Sequence, residues 1–246
     1  MEADGRPQKK SSSPWLYVGL GCGAVVLLGL LGISGFTYLM YRQGKDFAQG
    51  FKDPKVREQR TRAILPYKEL PSGYYPMGAF SVPFLGDFAL LSDRPPTDGK
   101  APDQQGFDQR SFIFMNMRHL RSNREQMERY LRGEAPAPKD SAWKQSTVNF
   151  HQKELIGRGV IKLGDTAVLY AANRGEVTHK GEQTGDSIVT MVLPQCPDDR
   201  LRFGTWISPD PQAAKPVAQA DYAGTAADPQ AIHDFLDHFQ LCGGGK

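Results

Sequence analysis

Hydrophobic and polar positions divide the chain into one long uncharged run and a larger stretch of short, alternating segments. From Trp15 to Tyr41 no residue is charged. As a helix this run is roughly 40 Å long, at about 1.5 Å per residue, against a bilayer hydrocarbon core of about 30 Å. Trp15 and Tyr17 at one end and Tyr38 and Tyr41 at the other are amphipathic rings of the kind that favour the headgroup level. The pattern predicts a single transmembrane helix over 15–41. A cleaved leader has a shorter apolar core, about 7–15 residues, and a small-x-small site. Here apolar residues continue past Gly32-Ile33-Ser34, a poor version of that site. Gly19 and Gly23 form a GxxxG spacing, which lets helices approach closely, although glycine is common in membrane helices in any case.

Residues 1–14, with Gly5, Pro7 and Ser11 to Ser13, read as a disordered tail. Asp53-Pro54 predicts a helix start, Asp as cap and Pro in the first turn, with the helix running to about Ile64. Its apolar face is thin (Val56, Ala63, Ile64), so 42–72 is expected to be a basic juxtamembrane stalk and 73–246 the folded domain. Phe80 to Val82, Phe88 to Leu91 and Ser111 to Met117 are short apolar runs and predict strands. Ser122 and Glu125 have capping-box spacing. Met127, Tyr130 and Leu131 then share one helical face, and Gly133 is placed to end the helix.

Thr147 to Gly204 reads as a meander, with strands expected at 147–151, 154–163, 166–173, 187–193 and 201–207 and a longer hairpin loop from Glu176 to Gly185. Ser208 to Ala227 is rich in Ala and Pro and predicts a surface crossover or a flexible insert. Asp228 and Pro229 open a final helix, whose Ile232, Phe235, Leu236 and Phe239 follow helical spacing. The sum predicts an α+β domain: an antiparallel meander with one internal and one C-terminal helix packed on it. The order of elements is similar to that of PsbP-like domains. The similarity is one of element order and carries no residue motif, so no function is transferred from it.

Charge changes the picture in one place. The formal net charge is +3. Residues 1–14 contribute three basic against two acidic groups (+1) and residues 42–72 eight against four (+4), so 3 − 1 − 4 leaves −2 for residues 73–246. A near-neutral domain lacks the electrostatic footprint of a nucleic-acid binder. The basic excess lies beside the uncharged run, where it suits either anionic headgroups or a solvated linker. Orientation is contested: six Lys/Arg over 42–61 against three in the tail argue for a cytoplasmic domain, whereas long domains are exported largely regardless of charge. Lys9-Lys10 before the run has the form of a signal-anchor start. Export to the periplasmic side of a bacterial inner membrane is the expectation adopted.

The cysteines bear on this. Cys22 lies in the uncharged run; Cys196 follows a strand and Cys242 falls on the apolar side of the last helix. A Cys196–Cys242 disulfide is expected, stapling helix to sheet and persisting only outside a reducing compartment. The alternative is two unpaired thiols. His233, Asp234, Asp237 and His238 form the most site-like cluster, with His233/Asp237 and Asp234/His238 four apart and so able to meet on a helix. They are weak metal candidates, since they are also the polar complement of the apolar face. No HExxH, GxSxG, phosphate-binding loop or CxxC is present, and neither cofactor nor metal is expected. The expected function is non-catalytic: a membrane-anchored domain that binds a protein partner or scaffolds an envelope complex. Two alternatives stand beside it. One is a tethered hydrolase using dispersed His and Asp residues. The other is a small-ligand or lipid binder lined by Phe112, Phe114, Met115 and Met117, for which ordinary core is the plainer account.

Overall fold

The computed structural model describes residues 51–82, 85–98, 109–118, 121–136, 148–179 and 182–243. The expected tail and the expected transmembrane helix over 15–41 lie outside the described residues. Among those that are described, no helix is long and apolar enough to cross a membrane.

Among the described residues seven strands form one antiparallel sheet, and three α-helices accompany it. In chain order these are α1 (Pro54–Ile64), β1 (Tyr75–Val82), β2 (Gly86–Ser92), β3 (Ser111–Met117), α2 (Arg121–Arg132), β4 (Val148–Leu163), β5 (Thr166–His179), β6 (Glu182–Pro194), β7 (Leu201–Pro209) and α3 (Pro229–Leu236). The spatial order is β1-β2-β3-β7-β6-β5-β4. Two meanders, β1-β2-β3 and β4-β5-β6-β7, therefore meet where β3 pairs with β7. The α+β class and the antiparallel meander agree with the pattern of residues; the central β3–β7 pairing joins the parts into one sheet.

Alternation assigns the two faces. One row runs in register through Ala79, Ala89, Phe114, Gly204, Val192, Tyr170 and Gly159, across all seven strands. A Cβ on Gly204 would lie 2.8 Å from the Phe112 ring, so the glycine is what lets that ring lie down on β7. α3 packs on this face. Phe235 stacks on Trp206 with ring centroids 4.2 Å apart and meets Phe112 and Tyr74 edge-on, each at 5.1 Å. Trp206 Nε1 donates to Tyr74 Oη at 2.6 Å. Asp228 caps α3 by accepting from Gln230 N at 3.0 Å, and Pro229 takes its first turn. The opposite face carries α2, whose Met127, Tyr130 and Leu131 pack on Met115, Met117, Leu169, Leu193 and Phe203. Gly133, with φ of 81°, ends that helix. Phe112 and Phe114 thus belong to one face and Met115 and Met117 to the other, all four within packed core.

Three local expectations are revised and a fourth, left between two alternatives, is resolved. First, α1 forms as expected, with Asp53 accepting from Lys55 N at 2.9 Å, but it packs on β1 and β2 and is not a free stalk. Its buried side is Arg57, Thr61 and Ile64. Within this polar pair Arg57 Nη1 donates to Phe51 O at 2.7 Å and Nη2 to Asp98 Oδ1 at 3.3 Å, and Thr61 Oγ1 donates to Arg57 O at 2.8 Å, while Arg57 Nε has no partner among the described residues. Leu65 and Tyr67 then enter the core beside Phe239. Residues from 51 onward therefore belong to the folded body.

Second, Ser122 lies inside the first turn of α2 rather than capping it, and its Oγ faces Asn123 Oδ1 at 3.3 Å. Third, β4 is a single strand where two were expected. Bulges between Gln152 and Glu154 and between Leu155 and Gly157 shift its register, and each shift breaks the alternation that marks a strand. Likewise the polar 176–185 stretch is mostly strand: β5 runs to His179 and β6 starts at Glu182. Lys153 holds Glu176 and Asp186 across the three strands, at 2.6 and 2.8 Å.

Fourth, of the two alternatives expected for the segment after β7, the structure has the crossover, and it is ordered. Arg174 projects from β5 into it. Its Nε donates to Asp210 Oδ2 at 2.6 Å, Nη1 to Lys215 O at 2.6 Å, and Nη2 to Gln212 O at 3.0 Å and Tyr222 Oη at 2.5 Å. Ala226 and Ala227 close it against the sheet.

Candidate functional site

Cys196 and Cys242 are joined in a disulfide, their Cα atoms 5.4 Å apart. The bond ties the turn after β6 to the end of the chain beyond α3. Around it the same turn is gripped from the other face: α2's Arg124 donates Nη1 to Asp198 O at 2.7 Å and Nη2 to Cys196 O at 3.3 Å. Arg202 on β7 chelates the Asp198 carboxylate through both terminal nitrogens. That hydrogen bonding, against a smaller opposing effect of burial, holds the Asp198 carboxyl below the usual carboxylate range.

Beside this turn lies a buried polar row that periodicity did not reveal. Asp87, Asn116 and Arg202 face each other in register on β2, β3 and β7. They are 8%, 0% and 3% exposed. Asp87 accepts from Ser81 Oγ at 2.6 Å and has Arg118 Nη2 at 3.8 Å. Asn116, between two charged neighbours, has no hydrogen-bond partner on either amide atom among the described residues, and Arg202 Nε has none either. The charges are thus matched at the two ends of the row and the amide between them is not.

The four metal candidates do not assemble. Asp237 is the C-cap of α3, its N–H bonded to His233 O at 2.9 Å, and His238 lies beyond the helix; among the described residues no side-chain hydrogen bond or ion pair joins His233 to Asp237 or Asp234 to His238. His233 Nδ1 faces Asp234 Oδ1 at 3.1 Å, Gln230 Nε2 donates to the same oxygen at 2.7 Å, and His238 Nδ1 meets Glu69 O at 3.1 Å. The hydrogen bond from His233, then that from Gln230, lowers the Asp234 pKa. Among the described residues no group of three or more metal-ligating side chains is found. His151 stands apart, exposed on β4.

Exposed apolar groups mark the surface features of interest. Val82 and Leu85 flank the β1–β2 turn, 37% and 42% exposed, and Val160 on β4 is 56% exposed. β4 is an edge of the sheet. The other edge strand, β1, is flanked by α1, with Phe51 seated so close over Gly78 that a Cβ there would lie 2.2 Å from its ring. From Gly157 to Leu163 β4 follows β5 without a register shift, and a Cβ on Gly157 would meet nothing within 4 Å. An edge strand of this kind presents unpaired backbone N–H and C=O groups. No family model matches the chain, and no curated protein matches it.

Proposed function

We propose that the protein is a single-pass membrane protein, anchored by residues 15–41 in a bacterial inner membrane, whose disulfide-stapled α+β domain faces the periplasm and binds a protein partner without catalysis. The anchor rests on the uncharged run and its aromatic ends. Export rests on the Cys196–Cys242 pairing, since such bonds persist in oxidising compartments. The observation that carries partner binding is the open β4 edge with its exposed Val160. Neither His233 nor His238 meets the buried Asp87 or the exposed Asp198, which favours binding over hydrolysis.

Labelling intact cells with a membrane-impermeant maleimide, with and without prior reduction, tests location. Reaction of Cys196 and Cys242 only after reduction, in a protein that sediments with membranes, supports the reading. Reaction only after lysis and without reduction defeats it. Chemical crosslinking in the same membranes then tests binding: the proposal requires the chain to be recovered in a complex, and recovery as an uncrosslinked monomer at saturating crosslinker counts against it.

A further inference from the structure

We infer that the β4 edge from Gly157 to Leu163 docks an extended segment of another protein in which one apolar residue is flanked, two positions away on each side, by Asp or Glu. This deepens the partner-binding reading and rests on it.

Three properties of the segment lead there. It is straight: both bulges of β4 lie N-terminal to it, and its pairing with β5 is continuous from Gly157↔Ala172 to Leu163↔Thr166. Bulges twist an edge away from incoming strands, so this is the part of β4 left able to accept one. It is also accessible, since Gly157 carries no side chain and faces open space. Finally, its outward side chains have a pattern. Arg158, Val160 and Lys162 pair with Ala171, Leu169 and Ala167 of β5 and therefore share one face, and all three are exposed.

The charges choose the occupant. Arg158 spends one donor on a main-chain oxygen, Nη1 to Tyr130 O at 3.2 Å, and neither Arg158 nor Lys162 has a carboxylate partner among the described residues. On a strand added to this edge, residues opposite 158, 160 and 162 contact these side chains directly. Opposite charges and apolar pairs are favourable there, and like charges directly opposite are not. Acid–apolar–acid at alternate positions satisfies all three and reads the same in either strand direction. A second copy of this chain does not fit: antiparallel pairing about Val160 sets Arg158 against Lys162, and parallel pairing sets each cation against itself. Backbone hydrogen bonding along the edge supplies the attraction, and the alternate side chains supply the choice.

The test uses the full-length chain in detergent micelles and a fluorescein-labelled peptide, Thr-Glu-Thr-Val-Thr-Glu-Thr, followed by fluorescence anisotropy. Saturable binding is expected, weakened about tenfold or more by Arg158→Glu with Lys162→Glu and restored in that variant by the peptide carrying Lys in place of Glu. Val160→Asp, at a side chain that is mostly exposed, is expected to weaken the Glu peptide as well. No anisotropy change up to about 1 mM peptide, equal affinity for wild type and the charge-reversed chain, or no recovery with the Lys peptide overturns the inference. Crosslinking separates the two readings: a complex that survives charge reversal in membranes removes this edge as the docking surface and leaves partner binding standing, whereas a wild-type chain that forms no complex removes partner binding itself.

Discussion

Arg174 and Asp210 form an ion pair at 2.6 Å whose side chains are 8% and 0% exposed. The pair joins β5 to the first residue beyond β7, and the other guanidinium nitrogens bind the main chain at Gln212 and Lys215 and the Tyr222 hydroxyl. Removing one member of a buried pair leaves an uncompensated charge, at a cost of about 3–5 kcal/mol. Asp210→Ala is therefore expected to lower stability by roughly that amount and to expose the 210–222 segment to limited proteolysis. Replacing both members with apolar residues is expected to cost less than the single change. Denaturant unfolding with peptide mapping of the cleavage sites checks both points.

Reduction should act on stability rather than on the sheet itself. The bond closes a separation of 46 residues, for which the chain-entropy account gives about 4 kcal/mol. Cys196→Ser with Cys242→Ser is expected to unfold at lower denaturant concentration by about 2–5 kcal/mol, and the wild-type chain under reductant should match it. Wild-type and variant transitions that coincide in the absence of reductant would show that the bond does not form in the protein.

How much of this was legible beforehand depended on whether the relevant signal was local. α3 was readable because Asp228 and Pro229 mark its start and Ile232, Phe235 and Leu236 all face inward. The cysteine pair was readable because only two cysteines lie outside the uncharged run. α1 was read as a helix but not as part of the body, because its buried side is Arg57, Thr61 and Ile64, and two of these three are polar residues that do not announce themselves as an apolar face. β4 was split because its bulges interrupt the alternation. The row of Asp87, Asn116 and Arg202 depends on register between strands far apart in sequence, which no local period encodes. Arg174 did leave a trace, a lone cation following the apolar run Val168 to Ala172, although its four partners come from beyond β7.

Tyr74 gives a pH signature. Burial, partly offset by the Trp206 hydrogen bond, pushes its hydroxyl up to about 12 from an ordinary value of 10.0. The folded chain keeps this proton after the unfolded chain has lost it, so the contribution is complete below pH 10 and is lost as pH rises towards 12. The amount is about 2–3 kcal/mol over that window. Tyr74→Phe is expected to remove this part of the alkaline slope, while costing about 1–2 kcal/mol at neutral pH because Trp206 Nε1 loses its acceptor. Other raised tyrosines, among them Tyr130 and Tyr170, remain in the variant, so the difference between the two stability curves isolates Tyr74.

Asn116 offers the sharpest test of the buried row. Its side chain is fully enclosed, and among the described residues neither amide atom meets a partner. An unpaired buried polar group costs about 1–3 kcal/mol relative to a satisfied one, and an apolar group of similar size carries no such cost. Asn116→Leu is therefore expected to leave stability unchanged or to raise it by about 1 kcal/mol. Asn116→Asp behaves oppositely, because it buries a second carboxylate beside Asp87, and the nearby cations offset this only in part: Arg202, in register on the other side, already commits both terminal nitrogens to Asp198, and Arg118 stands 3.8 Å from Asp87. Stability should then fall at neutral pH and recover on acidification, as protonation removes the repulsion. Thermal unfolding of both variants from neutral to mildly acidic pH decides the matter. A marked loss of stability in Asn116→Leu would mean that the carboxamide contributes hydrogen bonds to the folded chain, and that the row between β2 and β7 is a satisfied network instead of one with a gap at its centre.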